Sequence, residues 1–223
     1  MKRFLILIVL SGLLFFPISS CKEDSSETAV DSATLNVKLV DAPITLGSQV
    51  VEEVNITVTR VDVVKKGSTE ENSSQIKDGD GVSTVMETDI RLNLLDYQNG
   101  VEALLGTVTL ETGEYLQLRF IVDLSDDANK PTIKFENDDT LYALQIPSGA
   151  TSGIKLKGNA HNPLFVLADG ENVDLVFDFD AQASIIVPPS ESKSDFILRP
   201  VIKEVKFRNQ VLTDVSCDGS DCP

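Results

Sequence analysis

The sequence contains no tryptophan, a single histidine, three tyrosines and three cysteines in 223 residues. Each shortage closes off some chemistry. With only Tyr97, Tyr115 and Tyr142 beside an absence of tryptophan, the chain is poor in flat, amphipathic ring faces of the kind sugars stack on. That argues against a glycosidase and against a tryptophan-platform sugar-binding module, though not against hydrogen-bonded glycan recognition. One histidine excludes zinc sites built on histidine pairs. It is His161, in Gly158-Asn159-Ala160-His161-Asn162-Pro163, and no Gly-x-Ser-x-Gly elbow exists for it to serve as a triad base. It reads as a solvated turn residue. Positive charge is scarce too: 19 Lys and Arg stand against 35 Asp and Glu, for a formal charge of −16. Such a surface repels nucleic acid and anionic lipid head groups and favours cationic partners or divalent ions, while acidity in itself also keeps an exposed protein soluble.

Long apolar runs are missing as well. The longest, Phe4 to Phe16, follows Lys2 and Arg3 and ends at Pro17. As a helix it would be about 20 Å long, short of the roughly 30 Å hydrocarbon core, so it reads as the h-region of a signal segment spanning residues 1–20. Pro17-Ile18-Ser19-Ser20-Cys21 resembles a lipobox, with isoleucine where leucine is commoner, and implies cleavage before Cys21 and lipid on its thiol. Two or three acyl chains, at about 0.8 kcal/mol per buried methylene, are enough for stable anchoring. Loss of residues 1–20 removes two cations and no acid, moving the formal charge from −16 to −18. Lys22-Glu23-Asp24 is similar to the lysine-plus-two-acids signal of some Gram-negative lipoproteins exposed on the outer face of the outer membrane; a generic charged tether is the alternative. Residues 21–33 are polar and aperiodic and read as a lipidated cysteine with a flexible stalk.

From residue 34 to 208 the dominant period is two, with frequent turn signals. Leu35, Val37 and Leu39 alternate with polar neighbours, as do Val54, Ile56 and Val58 before Val61 and Val63. Leu116, Leu118, Phe120 and Val122 are expected on one face of a strand and Tyr115, Gln117, Arg119 and Ile121 on the other. Asn99-Gly100 and Asp169-Gly170 are turn dipeptides, the latter a candidate hairpin. Val101 to Leu105 is the best candidate for a single helical turn. About ten short strands without a fixed repeat predict an all-β fold, a single antiparallel β-sandwich. The tail, residues 209–223, carries Cys217 and Cys222 in Cys-Asp-Gly-Ser-Asp-Cys. Outside the cytoplasm such thiols usually pair, and closing so small a loop contributes about 2 kcal/mol locally.

Six segments in one order resemble the bacterial domain-of-unknown-function family DUF4382. They are Leu39-Val40-Asp41-Ala42-Pro43, Leu92 to Asp96 with Asn99-Gly100, Gly113 to Phe120, Ile146-Pro147-Ser148-Gly149 with Ser152 to Leu156, Phe177-Asp178-Phe179-Asp180, and Leu198-Arg199-Pro200. The resemblance runs over about residues 34–207. It implies a transthyretin-like or immunoglobulin-like β-sandwich, and it brings no activity and no catalytic residues.

The acids supply the remaining candidates. Asp174, Asp178 and Asp180 fall on one face of a strand, with Leu175, Phe177 and Phe179 on the other. Calcium takes six to eight oxygens; Asp178 and Asp180 at a strand end would give two donors and Asp41 a third if its strand terminus lies close. The preferred account is structural: Arg119 or Arg199 pairs with Asp178 or Asp180 across the sheet, because a buried arginine needs a partner. Asp78-Gly79-Asp80-Gly81 is similar to a calcium loop but lacks the later glycine and the bidentate glutamate, with Asp89 at the twelfth position; it reads as an acidic turn.

No catalytic constellation emerges. The chain therefore reads as a non-enzymatic lipoprotein without a required cofactor, anchored in the outer membrane and facing the cell exterior, or the periplasm as the alternative. Its sandwich would act as a binding or structural module for an unidentified protein or glycan. A calcium-stabilised adhesion or glycan-contact domain is the second reading, and an accessory carbohydrate-processing enzyme the third. Cys21→Ser is expected to stay uncut by the lipoprotein peptidase and to take up no lipid. Metabolic labelling with palmitate checks this, and label retained by the mutant refutes the assignment.

Overall fold

In a computed structural model the protein is described over residues 31–41, 44, 46, 49–68, 81–124, 128–146, 154–159, 161–187 and 196–212, and over 216–218 as backbone. Residues 1–20 (read as a signal segment), Cys21, Lys22-Glu23-Asp24, most of the Asp78-to-Gly81 turn, Pro147-Ser148-Gly149 and Cys222 lie outside the described residues, as does the side chain of Cys217.

The described chain is built from two facing sheets. The smaller holds β1 (Ser32–Asp41), β4 (Ala103–Glu111), β10 (Asn172–Phe179), β13 (Ile202–Phe207) and β14 (Gln210–Val211), in the order β14-β13-β10-β1-β4. The larger holds ten strands: β2 (Val51–Lys65), β3 (Val82–Asn93), β5 (Gly113–Val122), β6 (Thr132–Phe135), β7 (Tyr142–Gln145), β8 (Ile154–Lys157), β9 (Phe165–Leu167), β11 (Ile185–Ile186), β12 (Phe196–Leu198) and β15 (Ser216–Asp218). One helical turn, α1 (Ala181–Ser184), links β10 to β11, and a 3-10 turn covers Leu94–Tyr97.

An all-β sandwich is what the alternating pattern requires, and on β1 it is realised residue for residue. Ala33, Leu35, Val37 and Leu39 are buried while their neighbours are half-exposed. The core lies between the sheets, where Phe120 of β5 meets Phe177 of β10 with ring centroids 4.2 Å apart and Phe165 of β9 meets Phe207 of β13 at 5.4 Å. Such aromatic pairs add about 1 kcal/mol each beyond the area they bury.

Several expectations are corrected. The ladders are mixed rather than purely antiparallel: β1 runs antiparallel to β4 but parallel to β10, and β12 runs parallel to β7. Asp169-Gly170 does not close a hairpin, because β9 pairs with β5 in the larger sheet and β10 with β1 in the smaller; the turn carries the chain between layers. Val101-Glu102 is irregular and Ala103 onward is strand, so the helical turn falls earlier, at Leu94. Tyr115, not Leu116, joins the core: a register shift between Val64 and Lys65 opposite β5 moves the phase by one residue, and Tyr115 stacks on Phe165 at 5.0 Å.

β2 frames the larger sheet. Along one edge it pairs with β3; along the other it pairs first with β6 and then with β5. A shift between Val58 and Arg60 lets Val58 and Val61 both face the core, as expected where a bulge adds a residue. A second bulge, in β4 opposite Val37 and Lys38, brings Gly106 against β3. A Cβ there would sit 2.9 Å from the Val85 carbonyl oxygen and 3.0 Å from its Cγ1. Gly106→Ala should therefore destabilise the fold by about 1–3 kcal/mol through overpacking. Urea unfolding reads it, and an unchanged midpoint would show that the two edges are not in tight contact.

Candidate functional site

The outer face of the larger sheet, turned away from the core, is where polar side chains concentrate. On β5, Leu118 and Phe120 point inward, so Gln117 and Arg119 point out; on β8, Leu156 points inward, so Lys155 and Lys157 point out. This outer face is nonetheless buried. Asp62 and Arg119 are 0% exposed, and Gln117 and Lys155 3%.

The register assembles these residues into a row across the strands. Thr84 of β3 stands opposite Asp62 of β2, Asp62 opposite Arg119, and Arg119 opposite Lys155 of β8. Beyond Lys155 the register position is Asp218 of β15. Residues directly opposite on neighbouring strands share a face and interact. Asp62 is held firmly: Arg60 Nε donates to both carboxylate oxygens at 2.9 Å, and Thr84 Oγ1 donates to Oδ1 at 2.8 Å. Arg119 Nε donates to Gln117 Oε1 at 3.2 Å. At the far end of the face, Arg91 donates to Thr57 Oγ1 and to the Ala128 carbonyl oxygen. Arg119 and Lys155 stand abreast in this row, both buried.

The acids singled out in the sequence are put to a different use. Asp41 stands opposite Phe179 on the core side of the smaller sheet, whereas Asp178, opposite Val40, points to the other face, so the three carboxylates share a sheet end but are not gathered into one site. Asp41 Oδ1 accepts from the Ala181 amide at 3.0 Å, and Asp180 caps α1 by accepting from the Ala183 amide at 2.8 Å. Ser184 Oγ bridges the Asp180 carbonyl and the Val201 amide, and the Arg199 amide donates to the Ser184 carbonyl. Together they fix the corner at which the chain turns into β11. Among the described residues no group of three or more His, Cys, Asp or Glu is arranged to hold a metal ion.

Arg119 is not the partner of Asp178 or Asp180. Phe120 and Phe177 touch across the core, so Arg119 and Asp178, one residue along from each, point away from one another on the outer faces of opposite sheets. The cations near Asp178 are Lys203 and Lys206. Burial nevertheless raises its carboxyl above the usual range, aided by Asp180 and Glu204. Asp174 is the opposite case: hydrogen bonding to Lys38 first, and to Asn36, holds it low.

His161 is exposed, with its amide donating to Asn159 Oδ1 at 2.9 Å. Asp89 is exposed on β3. A cavity between the sheets, lined by Leu39, Ile56, Val58, Phe120, Phe177 and Ile202 among others, measures about 10 Å³. That is room for about one water molecule, and its walls are apolar, so it is a packing gap in the core. Arg60, Asp62, Thr84, Gln117 and Lys155 were not singled out by sequence reasoning. The available signal was the Arg60/Asp62 pair of opposite charges two apart between buried valines.

A family model described as Domain of unknown function (DUF4382) matches residues 32–200. No curated protein and no solved structure matches the chain. The match begins at the first residue of β1 and stops before β13, although β13 is paired along β10 and belongs to the same sheet.

The two aspartates on the smaller sheet should respond oppositely to pH. Asp178→Asn is expected to raise the melting temperature at pH 7, because the raised carboxyl is penalised when ionised; the gain fades as pH falls through the folded value towards the unfolded one near 3.9. Asp174→Asn should lower it at pH 7, because a depressed carboxyl contributes stability above its unfolded value, and that difference closes as pH falls through the folded value. Melting curves from pH 3 to 7 check both signs, and two curves of the same sign contradict these placements.

Proposed function

This chain belongs to the DUF4382 family, and we propose that it is a membrane-anchored, surface-exposed lipoprotein whose β-sandwich serves as a non-catalytic binding or structural module. The observation that supports it most directly is the commitment of the chemically capable side chains. Asp62 is engaged by Arg60 and Thr84, and Asp41 and Asp180 by the backbone of α1. A group fixed in this way as a structural partner is not poised for proton transfer, which requires access to a substrate proton at hydrogen-bonding distance.

The anchor fits the position of the first strand. β1 starts at Ser32, eleven residues after Cys21. At about 3.3 Å per residue that interval reaches at most about 36 Å, so the lipidated cysteine would let the sandwich stand clear of the head groups. Lys22-Glu23-Asp24, directly after the lipidated cysteine, favours the outer face of the outer membrane. The transthyretin-like or immunoglobulin-like character implied by the family resemblance is part of the same proposal. A second reading, a calcium-stabilised adhesion or glycan-contact domain, draws only on the acid-rich composition, 35 Asp and Glu against 19 Lys and Arg.

Protease treatment of intact cells tests exposure. The wild-type chain should be digested, while a chain with Lys22, Glu23 and Asp24 all replaced by alanine should remain membrane-bound but protected. Equal digestion of the two refutes the role of the tripeptide, and protection of both refutes surface exposure. Turnover of any hydrolase substrate that disappears in His161→Ala would overturn the non-catalytic reading. A melting temperature raised by millimolar calcium, and no longer raised in the Asp178→Ala/Asp180→Ala double variant, would establish the second reading in its place.

A further inference from the structure

We propose that Asn99 is a modification site, at which the chain closes a succinimide on its own backbone and passes, with water, to aspartate and isoaspartate. Asn99-Gly100 is the one Asn-Gly pair in the sequence. Glycine favours this chemistry, because it has no side chain to hinder approach to its amide nitrogen. The step balances without an oxidant or a cofactor. The Gly100 amide nitrogen attacks Asn99 Cγ, an N–Cγ bond forms, and the side-chain nitrogen leaves as ammonia, taking the proton from the Gly100 amide. Water then opens the ring. Cleavage at Cγ gives aspartate, and cleavage at the main-chain carbonyl carbon of Asn99 gives isoaspartate.

The structure leaves this reaction open. Asn99 and Gly100 form the exposed centre of the turn that leads from the 3-10 turn to β4, with φ of 57° and 87°. One hydrogen bond closes that turn, from the Val101 amide to the Gln98 carbonyl oxygen at 3.2 Å. Among the described residues neither the Gly100 amide nor the Asn99 carboxamide has a hydrogen-bond partner. A Cβ placed on Gly100 would meet no atom within 4 Å. No neighbouring group has to be displaced for Asn99 to turn its side chain towards the next nitrogen.

Asp169-Gly170 shows what protection requires. It can close the same ring with loss of water, it is just as exposed, and its turn is closed by the same kind of bond, from the Glu171 amide to the Ala168 carbonyl oxygen at 3.3 Å. Here both reacting groups are held. The Gly170 amide donates to the Ser32 carbonyl oxygen at 2.9 Å, and Asp169 Oδ1 accepts from the Ser32 amide at 3.1 Å. β1 thus pins the nucleophile and the electrophile together. Exposure alone would rank the two pairs as equals; hydrogen bonding separates them. Conversion of Asn99 adds a carboxylate to an already acidic chain, and isoaspartate adds a methylene to the main chain of the turn. β4 keeps its place, because Ala103 is paired with Leu39 beyond that turn, so converted molecules stay folded and accumulate with age.

The test maps the uptake of heavy oxygen from labelled water, peptide by peptide, in the full chain kept native and in the full chain held unfolded in guanidinium. Each ring opening leaves one heavy oxygen behind, at either pair. The unfolded-to-native rate ratio at Asn99 should stay below about tenfold, the factor for opening a single turn hydrogen bond. At Asp169 the ratio should exceed that of Asn99 by at least about twentyfold, for two further bonds at about fivefold each. Native-state uptake at Asn99 should also outrun that at Asn162 and Asn209, neither of which precedes glycine. A larger ratio at Asn99, a smaller gap between the two pairs, or uptake at Asn99 no faster than at the other two asparagines would each overturn the proposal. No variant is required, so a failure to fold cannot mask the outcome.

Discussion

A strand buried on both faces has to find partners for every polar side chain it carries, and this constraint governs the larger sheet. β2 and β5 are such strands. Their inward positions, Val61, Val63, Leu118 and Phe120, satisfy the core by shape and hydrophobicity. Their outward positions are Asp62, Gln117 and Arg119, just as completely buried. Removing a carboxylate and a guanidinium from water is costly unless geometry restores what hydration supplied. The partners lie close by: Asp62 is held by Arg60 two residues along its own strand and by Thr84 of β3, and Arg119 donates to Gln117 two residues along β5. The cross-strand share of this is the hydrogen bond from Thr84, which ties Asp62 to β3.

The smaller sheet obeys a milder rule. One face packs and the other is half-exposed, so its polar residues interact locally and in part through water. Asn36 of β1 bridges Thr107 of β4 to Asn172 and Asp174 of β10, and Lys38 joins Asp174 to Glu102. Exposed pairs of this kind contribute between nothing and about 1 kcal/mol each. The polar organisation that fixes the fold lies in the larger sheet.

How far all this was legible in the sequence depends on the range of the interaction. The alternation in β1 and the inward set of β10 could be read directly, because a period of two is a local property. The bulges were visible only in outline: Val58 and Val61 are three apart where strict alternation would put an even number, a phase change that marks the added residue. Tyr115 was assigned to the wrong face for the same reason, its bulge lying in a run of residues apolar enough to fit either phase. The parallel pairing of β1 with β10, and the crossing at Asp169-Gly170, could not be read at all, since the dipeptide that closes hairpins also serves wherever a chain must reverse. The candidate site divides likewise. That Arg119 would need a partner followed from its strand; that the row around it would hold Asp62 and Lys155 and not Asp178 depended on which strands lie adjacent, which no local pattern encodes.

Sheet edges are where β-proteins stick to one another, and the seam at Gly106 bears on that hazard. β3 and β4 are long edge strands, one from each sheet, and both carry irregular register. Where they approach, at Val85 and Gly106, there is no room even for a methyl group, so each shields the other over that stretch from intruding strands, and the bulges spoil the flat template that a foreign strand would need. Molecules tethered by lipid to the same bilayer, as proposed for this chain, would meet far more often than molecules in solution. A side wall closed by its own two rims would let them crowd together without zipping into fibrils.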